Sequence, residues 1–257
     1  MRPVCTAGLH RRSAPPRLET VSVSDRLAGV DADRLHLALM LALTFSTGVV
    51  DAVGYLGLDR VFTGNMTGNV VLLGMALTGT TSLPILRPLL ALGFFLAGAV
   101  VGSRLVRRQD GWSGRVTVTL WIIATLLTAI AALLAFALHL APETVGTIAT
   151  SALGFAMGMQ AALARRVKVA EVTTVVVTST LTGLAADSRL AGGTGALWLR
   201  RALAVVLISA GAAAGALALL VNVALGVLVS AAVTIVVASL GHTGHRARSA
   251  DQEPTAG

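Results

Sequence analysis

Apolar runs of about 20 residues recur along the chain, and no other feature of the sequence restricts its fold as strongly. One such run crosses the roughly 30 Å hydrocarbon core of a bilayer as a helix. Only 12% of the 257 residues are charged, whereas a soluble domain has about 25%. The sequence therefore predicts an all-α integral membrane protein, with apolar segments at 36–57, 61–80, 88–104, 116–140, 145–163, 172–186, 202–221 and 223–240.

Two of these segments, 61–80 and 172–186, differ from the others because they are rich in Thr, Gly and Asn. Polar backbone interrupted by glycine occurs at membrane depth where it is buried in protein or lines a cavity. We therefore expect six transmembrane helices and two discontinuous or re-entrant segments.

The distribution of basic residues favours the same arrangement. If all eight segments cross and the N-terminus is inside, 12 of the 20 Lys and Arg lie inside and eight outside. If 61–80 and 172–186 enter and return, 18 lie inside and only Arg60 and Arg87 lie outside. Cytoplasmic loops of membrane proteins carry the excess of Lys and Arg. The sequence thus predicts a bacterial inner-membrane protein with both termini in the cytoplasm.

The charge pattern also predicts the domain organisation. Residues 1–35 form a basic stretch without the apolar core and cleavage site of a signal peptide, so we expect a disordered cytoplasmic tail. The membrane domain spans 36–240, and 241–257 is a C-terminal cytoplasmic tail. Cys5 is the single cysteine and makes neither an internal disulfide nor a thiolate metal site.

The membrane domain contains an internal repeat, with halves at about 36–140 and 145–240. Three blocks recur in the same order. Phe45, Gly48 and Ala52 match Phe155, Gly158 and Ala162 at an offset of 110; Thr63, Thr67 and Gly68 match Thr178, Thr182 and Gly183 at 115; Arg87, Ala91, Ala97, Gly98, Ala99 and Gly102 match Arg200, Ala204, Ala210, Gly211, Ala212 and Gly215 at 113. Three spans per half predict an inverted 3+3 repeat, an arrangement typical of transporters. A fold that arose by duplication without transport is the alternative.

Short motifs in both halves resemble the YoaK family of small bacterial multi-pass membrane proteins. The motifs are Asp51-Ala-Val-Gly-Tyr-Leu-Gly57 and Phe62-Thr-Gly-Asn-Met-Thr-Gly-Asn69 in the first half, and Gly158-Met-Gln160-Ala, Arg165-Arg166 and Thr178-Ser-Thr-Leu-Thr-Gly183 in the second. The resemblance covers about residues 36–240 and implies about six spans. It implies no activity, because the family is defined by a domain of unknown function. Ala161 follows Gln160 where the family pattern has Asn.

Asp51 is the most informative single residue, because a carboxylate inside a span costs roughly 2.5–3.5 kcal/mol on insertion. It is a candidate proton site that points towards Asn65 or Asn69; the alternative is that it reaches the outer interface or caps a buried loop. The candidate solute path comprises Asp51, Asn65, Thr67, Asn69, Gln160, Thr178 and Thr182. These amides and hydroxyls could equally satisfy backbone groups freed by Gly64 and Gly68.

The sequence favours a carrier or channel for a small solute, proton-coupled through Asp51. The alternative is a non-transporting scaffold, assembly or envelope-stress protein. No metal-binding, phosphate-binding or nucleophile motif supports an enzyme, a metal site or a cofactor. The expected partners are the lipid bilayer and a small solute, without nucleic acid, and the sequence leaves homo-oligomerisation open.

Overall fold

The computed structural model describes residues 31–80, 82–107, 111–167 and 177–251, with side chains as far as Arg246. These residues form eight α-helices, a 3₁₀ turn at Arg189–Ala191 and no strand. The helices are α1 Ala32–Gly57, α2 Met66–Ala76, α3 Leu86–Leu105, α4 Gly114–Ala137, α5 Pro142–Val167, α6 Val177–Ala186, α7 Trp198–Leu219 and α8 Val223–Asp251. Six of them, all except α2 and α6, are long and apolar enough to cross a membrane. This confirms the predicted all-α membrane class with six candidate spans.

The helix ends follow local sequence signals. Asn65 is the N-cap of α2 and accepts a hydrogen bond from the backbone N–H of Gly68, and Ser113 caps α4 in the same way. Pro142 stands at the first position of α5, where its missing N–H and fixed φ suit a helix start. At the chain ends, α1 begins at Ala32 and α8 continues to Asp251, while residues 1–30 and 252–257 lie outside the described residues.

The two short helices coincide with the segments that the sequence set apart. Helix α2 has 11 residues and α6 has 10, which at 1.5 Å per residue gives lengths of about 17 and 15 Å. Each is therefore only about half as long as the hydrocarbon core is thick. Residues 61–65 before α2 are not helical, and residues 172–176 of the second segment lie outside the described part.

Helices α1 and α5 are the most buried spans, and α3 and α7 are the least buried. Helix α1 packs against α7 and α8, α5 packs against α3 and α4, and α4 packs against α8. The largest fully buried apolar side chains are Met40, Leu43, Val49, Val50, Leu58, Leu120, Ile123, Leu127, Leu153, Met159 and Leu163. The exposed side chains of α3 and α7 are largely apolar, among them Leu89, Phe94, Leu96, Leu199, Val206 and Leu217. A continuous apolar exterior of this kind suits lipid and not water.

Glycines allow the closest helix contacts. On α3, a Cβ added at Gly98 would overlap the carbonyl oxygen of Phe155 in α5. On α7, a Cβ at Gly211 would overlap the carbonyl oxygen of Phe45 in α1. Small residues let backbones approach closely in membranes, where helix association depends on packing.

The partner helix in each of these two crossings also has a glycine at the contact. A Cβ at Gly158 would overlap the Phe95 carbonyl oxygen, and one at Gly48 would overlap the Ile208 carbonyl oxygen. Phe95 and Ile208 are separated by 113 residues, and Gly48 and Gly158 by 110. These are the offsets at which the sequence blocks match, so the two crossings are built from corresponding positions.

Buried arginines anchor α3 and α7 differently. Arg87 donates to the Glu143 carboxylate at 2.9 Å and to the Thr147 hydroxyl at 3.3 Å, both on α5. On α7 the buried arginine is Arg201, which contacts the Gly183 carbonyl oxygen and the Asp187 carboxylate at the end of α6. The sequence match of Arg87 with Arg200 therefore does not extend to their surroundings.

The substitution Gly98→Ala tests the importance of the α3–α5 crossing. We expect it to destabilise the protein by roughly 1–3 kcal/mol, because the added methyl group must push two backbones apart. Gly93→Ala on the same helix is the matched control, since nothing lies within 4 Å of its added Cβ. It should be neutral or stabilising by up to about 1 kcal/mol. Thermal unfolding in detergent measures both, and equal melting temperatures for the two variants would contradict the crossing.

Candidate functional site

Asp51 lies six residues before the end of α1 at Gly57 and turns towards the non-helical residues that precede α2. Its Oδ1 atom accepts hydrogen bonds from the backbone N–H groups of Thr63 at 2.9 Å, Gly64 at 2.6 Å and Asn65 at 3.3 Å. The Thr63 hydroxyl lies 3.5 Å from the same oxygen. These three residues precede α2, so their N–H groups have no partner within a helix. One carboxylate oxygen accepts hydrogen bonds from all three.

The second oxygen of Asp51 has different surroundings. Within the described residues, Oδ2 receives no hydrogen bond, and the Asp51 side chain borders a cavity. The Asp51 side chain therefore has a structural role through Oδ1 and an open coordination position at Oδ2. The predicted contact with Asn65 exists, but it is made by the backbone N–H of Asn65.

Gly64 lets this loop approach α1. A Cβ at position 64 would lie 2.8 Å from the Thr47 Cγ2 atom and 3.5 Å from both Asp51 oxygens. A side chain here would therefore press against the Thr47 methyl group. This contact favours glycine in the motif, and the sequence alone does not show it.

Asn69 holds the other end of the loop. Its Nδ2 donates to the Phe62 carbonyl oxygen at 2.6 Å, and its Oδ1 accepts from the Phe62 N–H at 2.9 Å. Both hydrogen-bonding ends of the buried amide are occupied by one backbone residue, so Asn69 fixes the loop and is not available to a solute.

A cavity of about 680 Å³ opens beside Asp51. We call it the Asp51 cavity; its lining residues are Asp51, Tyr55, Phe62, Gly64, Asn65, Thr67, Gly68, Val71, Leu72, Val177, Thr178 and Ile208. They come from α1, from the loop and first turns of α2, from the first turn of α6 and from α7. Ile208 is ten residues after Trp198 and eleven before Leu219, so the cavity reaches the middle of α7.

Four of the seven predicted path residues line this cavity: Asp51, Asn65, Thr67 and Thr178. Asn69, Gln160 and Thr182 do not belong to the lining. Gln160 is a buried residue of α5 that faces α1. Its Nε2 donates to the Thr47 hydroxyl at 3.0 Å and to the Leu43 carbonyl oxygen at 3.4 Å, both on α1. The Thr182 hydroxyl donates to the Thr178 carbonyl oxygen at 2.9 Å.

Sequence reasoning missed the aromatic and apolar walls. Tyr55 and Phe62 stack with ring centroids 4.9 Å apart, and both line the cavity. Both belong to the recognised motifs, Tyr55 to the one that begins at Asp51 and Phe62 to the one that follows it, so the motifs were an available signal. Ile208 gave no signal, because an isoleucine in an apolar span is indistinguishable from a lipid-facing one.

The cavity wall, as far as the structure describes it, has one ionisable carboxylate. Among its lining side chains within the described residues, Asp51 is the one carboxylate and none is basic. The part of the chain that the structure describes contains no group of three or more His, Cys, Asp or Glu side chains that could hold a metal ion. The arrangement offers one anionic oxygen, the polar side chains of Asn65, Thr67 and Thr178, and two aromatic rings in a mainly apolar wall.

These features define a multi-pass membrane protein with a partly polar cavity beside a broken helix. Residues 39–240 match the family described as "Protein of unknown function (DUF1275)", and the chain belongs to that family. It is also similar to the UPF0700 transmembrane protein YoaK of Bacillus subtilis (strain 168), with 34% identity over 151 residues. That match covers 58% of this chain and 65% of the relative. No solved structure matches the chain.

Proposed function

We propose that this protein is a carrier or channel that moves a small solute across the bacterial inner membrane. The observation that carries the proposal is the Asp51 cavity, which borders both short helices and the middle of α7. Its volume of about 680 Å³ falls in the range of small-molecule sites, roughly 300–1,000 Å³. A scaffold gains nothing from such a space and would fill it with packed side chains. In this proposal the protein moves the solute unchanged and catalyses no reaction.

The broken helices support a solute path. Transporters place their sites where discontinuous helices meet near the midplane, because exposed backbone groups there bind solutes or ions. Here the loop at 61–65 and the first residues of α2 and α6 meet at one cavity. In this proposal α2 and α6 enter the membrane and return without crossing it.

An inverted repeat is the second part of the proposal. The glycine crossings of α1 with α7 and of α3 with α5 use positions related by the offsets 110 and 113. The packing of α1 against α8 likewise has a counterpart in that of α5 against α4. These correspondences support two halves of opposite orientation, and inverted repeats of this kind are typical of secondary transporters.

Asp51 is the proton-binding group in this proposal. Its Oδ1 is an acceptor whether the carboxyl is charged or neutral, so the loop bonds to Thr63 and Gly64 survive protonation. The proton would therefore reside on Oδ2, the oxygen without a partner among the described residues. Intramembrane ionisable side chains generally face bundle interiors and mark ion or proton paths.

Water access to the cavity tests the solute path. In a Cys5→Ser background, we expect Ile208→Cys to react with a charged, water-soluble thiol reagent, because the reactive thiolate forms only where water reaches it. Val206→Cys is the matched control on the same helix: its side chain is 61% exposed, but it is not part of the cavity lining. We expect no reaction at 206. Equal inertness of both positions would favour a packed scaffold.

Labelling from the two sides of the membrane tests the proposed orientation. Single cysteines at Gly114, the first residue of α4, and Ala141, just before α5, should react from opposite sides, with Gly114→Cys cytoplasmic. Gly114 is preferable to Gly111, whose φ of 78° disfavours a side chain, and nothing lies within 4 Å of a Cβ at Gly114. Reaction of both positions from the periplasmic side would contradict the orientation.

A further inference from the structure

The two oxygens of Asp51 differ in a way that bears on what the cavity binds. Oδ1 already accepts hydrogen bonds from Thr63, Gly64 and Asn65. Oδ2 has no such partner within the described residues, and the Asp51 side chain lines the cavity. A cavity wall with a carboxylate oxygen available and no basic side chain among its described residues attracts positive charge and repels negative charge.

The neighbouring side chains point to the same ligand charge. Tyr55 and Phe62 line the cavity beside Asp51, and their rings stack on each other. Aromatic faces attract cations through their quadrupole, and desolvated sites strengthen that attraction. Val71, Leu72 and Ile208 complete an apolar wall that suits hydrocarbon groups.

Helix polarity alone would suggest an anion, because the N-terminal turn of α2 borders the cavity. Part of this polarity is already matched, however. The N–H groups of Asn65 at the N-cap and of Gly64 just before it bond to Asp51, and that of Gly68 in the first turn bonds to the Asn65 side chain. The carboxylate of Asp51 is thus the anion that this helix end already holds.

From these contacts we infer that the cavity binds a small organic cation, an ammonium ion with an apolar body, whose charge pairs with Oδ2 of Asp51. The inference rests on the proposed solute path and names the class of its solute. Since Oδ2 cannot hold a proton and pair with a cation at once, the two ligands compete. Carriage through this site is therefore an exchange of cation against proton.

Direct binding to the full-length purified protein tests the inference. The probes are benzyltrimethylammonium, which has a permanent positive charge, with uncharged benzyl alcohol and anionic benzoate for comparison. Calorimetric titration in detergent should show saturable binding of the ammonium ion alone. Asp51→Asn should weaken it by roughly 10- to 100-fold, because a charged partner is lost, while its Oδ1 still accepts the loop N–H groups.

Two further variants separate the site from a general charge effect. Asp59→Asn removes a carboxylate near the same end of α1 but outside the cavity, and asparagine tolerates the φ of 66° at that position. It should bind the ammonium ion as the unmodified protein does. Tyr55→Leu should weaken binding by roughly 2- to 5-fold through loss of one aromatic face.

A second measurement needs no variant and remains decisive if Asp51→Asn does not fold. A hydrophobic carbodiimide reacts with accessible protonated carboxyl groups, and mass spectrometry of the peptide containing Asp51 quantifies the product. Benzyltrimethylammonium should protect Asp51 from modification, whereas benzyl alcohol should not. Absence of saturable ammonium binding, preferential binding of benzoate, or unchanged modification in the presence of the cation would each overturn the inference.

Liposome flux distinguishes this inference from the proposed function. In vesicles containing a trapped pH indicator, an inward gradient of benzyltrimethylammonium should drive protons outward through the protein but not through Asp51→Asn. Binding without any flux would leave the cation site intact and contradict the carrier. Flux of another solute without ammonium binding would support the carrier and contradict the cation site.

Discussion

The hydrogen bonds from three successive backbone N–H groups to Oδ1 of Asp51 make the break before α2 tolerable. In the proposed arrangement this loop lies at membrane depth, where an unsatisfied backbone group costs several kcal/mol, so each donor there requires an internal partner. A single carboxylate oxygen supplies three of these bonds, and the Asn69 amide supplies both partners of Phe62. Residues 61–65 remain non-helical because the side chains of Asp51 and Asn69 provide the hydrogen bonds that a helix would otherwise provide. The cavity lies beside this non-helical loop.

Backbone proximity is the second constraint. Gly98, Gly158, Gly48 and Gly211 bring two helix pairs so close that methyl groups would overlap carbonyl oxygens. Helices held this closely act as rigid units, and α1 and α5 are also the most buried spans. The closely packed pairs α1–α7 and α3–α5 therefore support the short helices α2 and α6 and the Asp51 cavity.

Sequence patterns predicted the framework well because span length and apolarity are one-dimensional properties. The six spans and the two short segments followed from them. For Asp51 the sequence left open a proton site and the cap of a buried loop, and the contacts of Oδ1 show the loop cap. Side-chain partners across helices did not follow. Gln160 was placed on the solute path, but its amide donates to Thr47 on α1. The buried arginine of α7 is Arg201, whereas the sequence blocks matched its neighbour Arg200. Adjacent side chains on a helix point about 100° apart, so only one of the two arginines can face the protein interior. Ile208 could not be identified, since only the packing shows which face of α7 meets the cavity.

Hydrogen exchange of the loop amides tests most directly whether Asp51 holds the break. In lipid discs, the amides of Thr63 and Gly64 should exchange slowly in the unmodified protein and in Asp51→Asn, whose Oδ1 remains an acceptor. In Asp51→Ala they should exchange roughly tenfold faster or more, because each loses its partner, while the amides in the first half of α1 should keep their rates. If the loop amides are equally protected in Asp51→Ala, the carboxylate does not hold the loop, and the account of the cavity is contradicted.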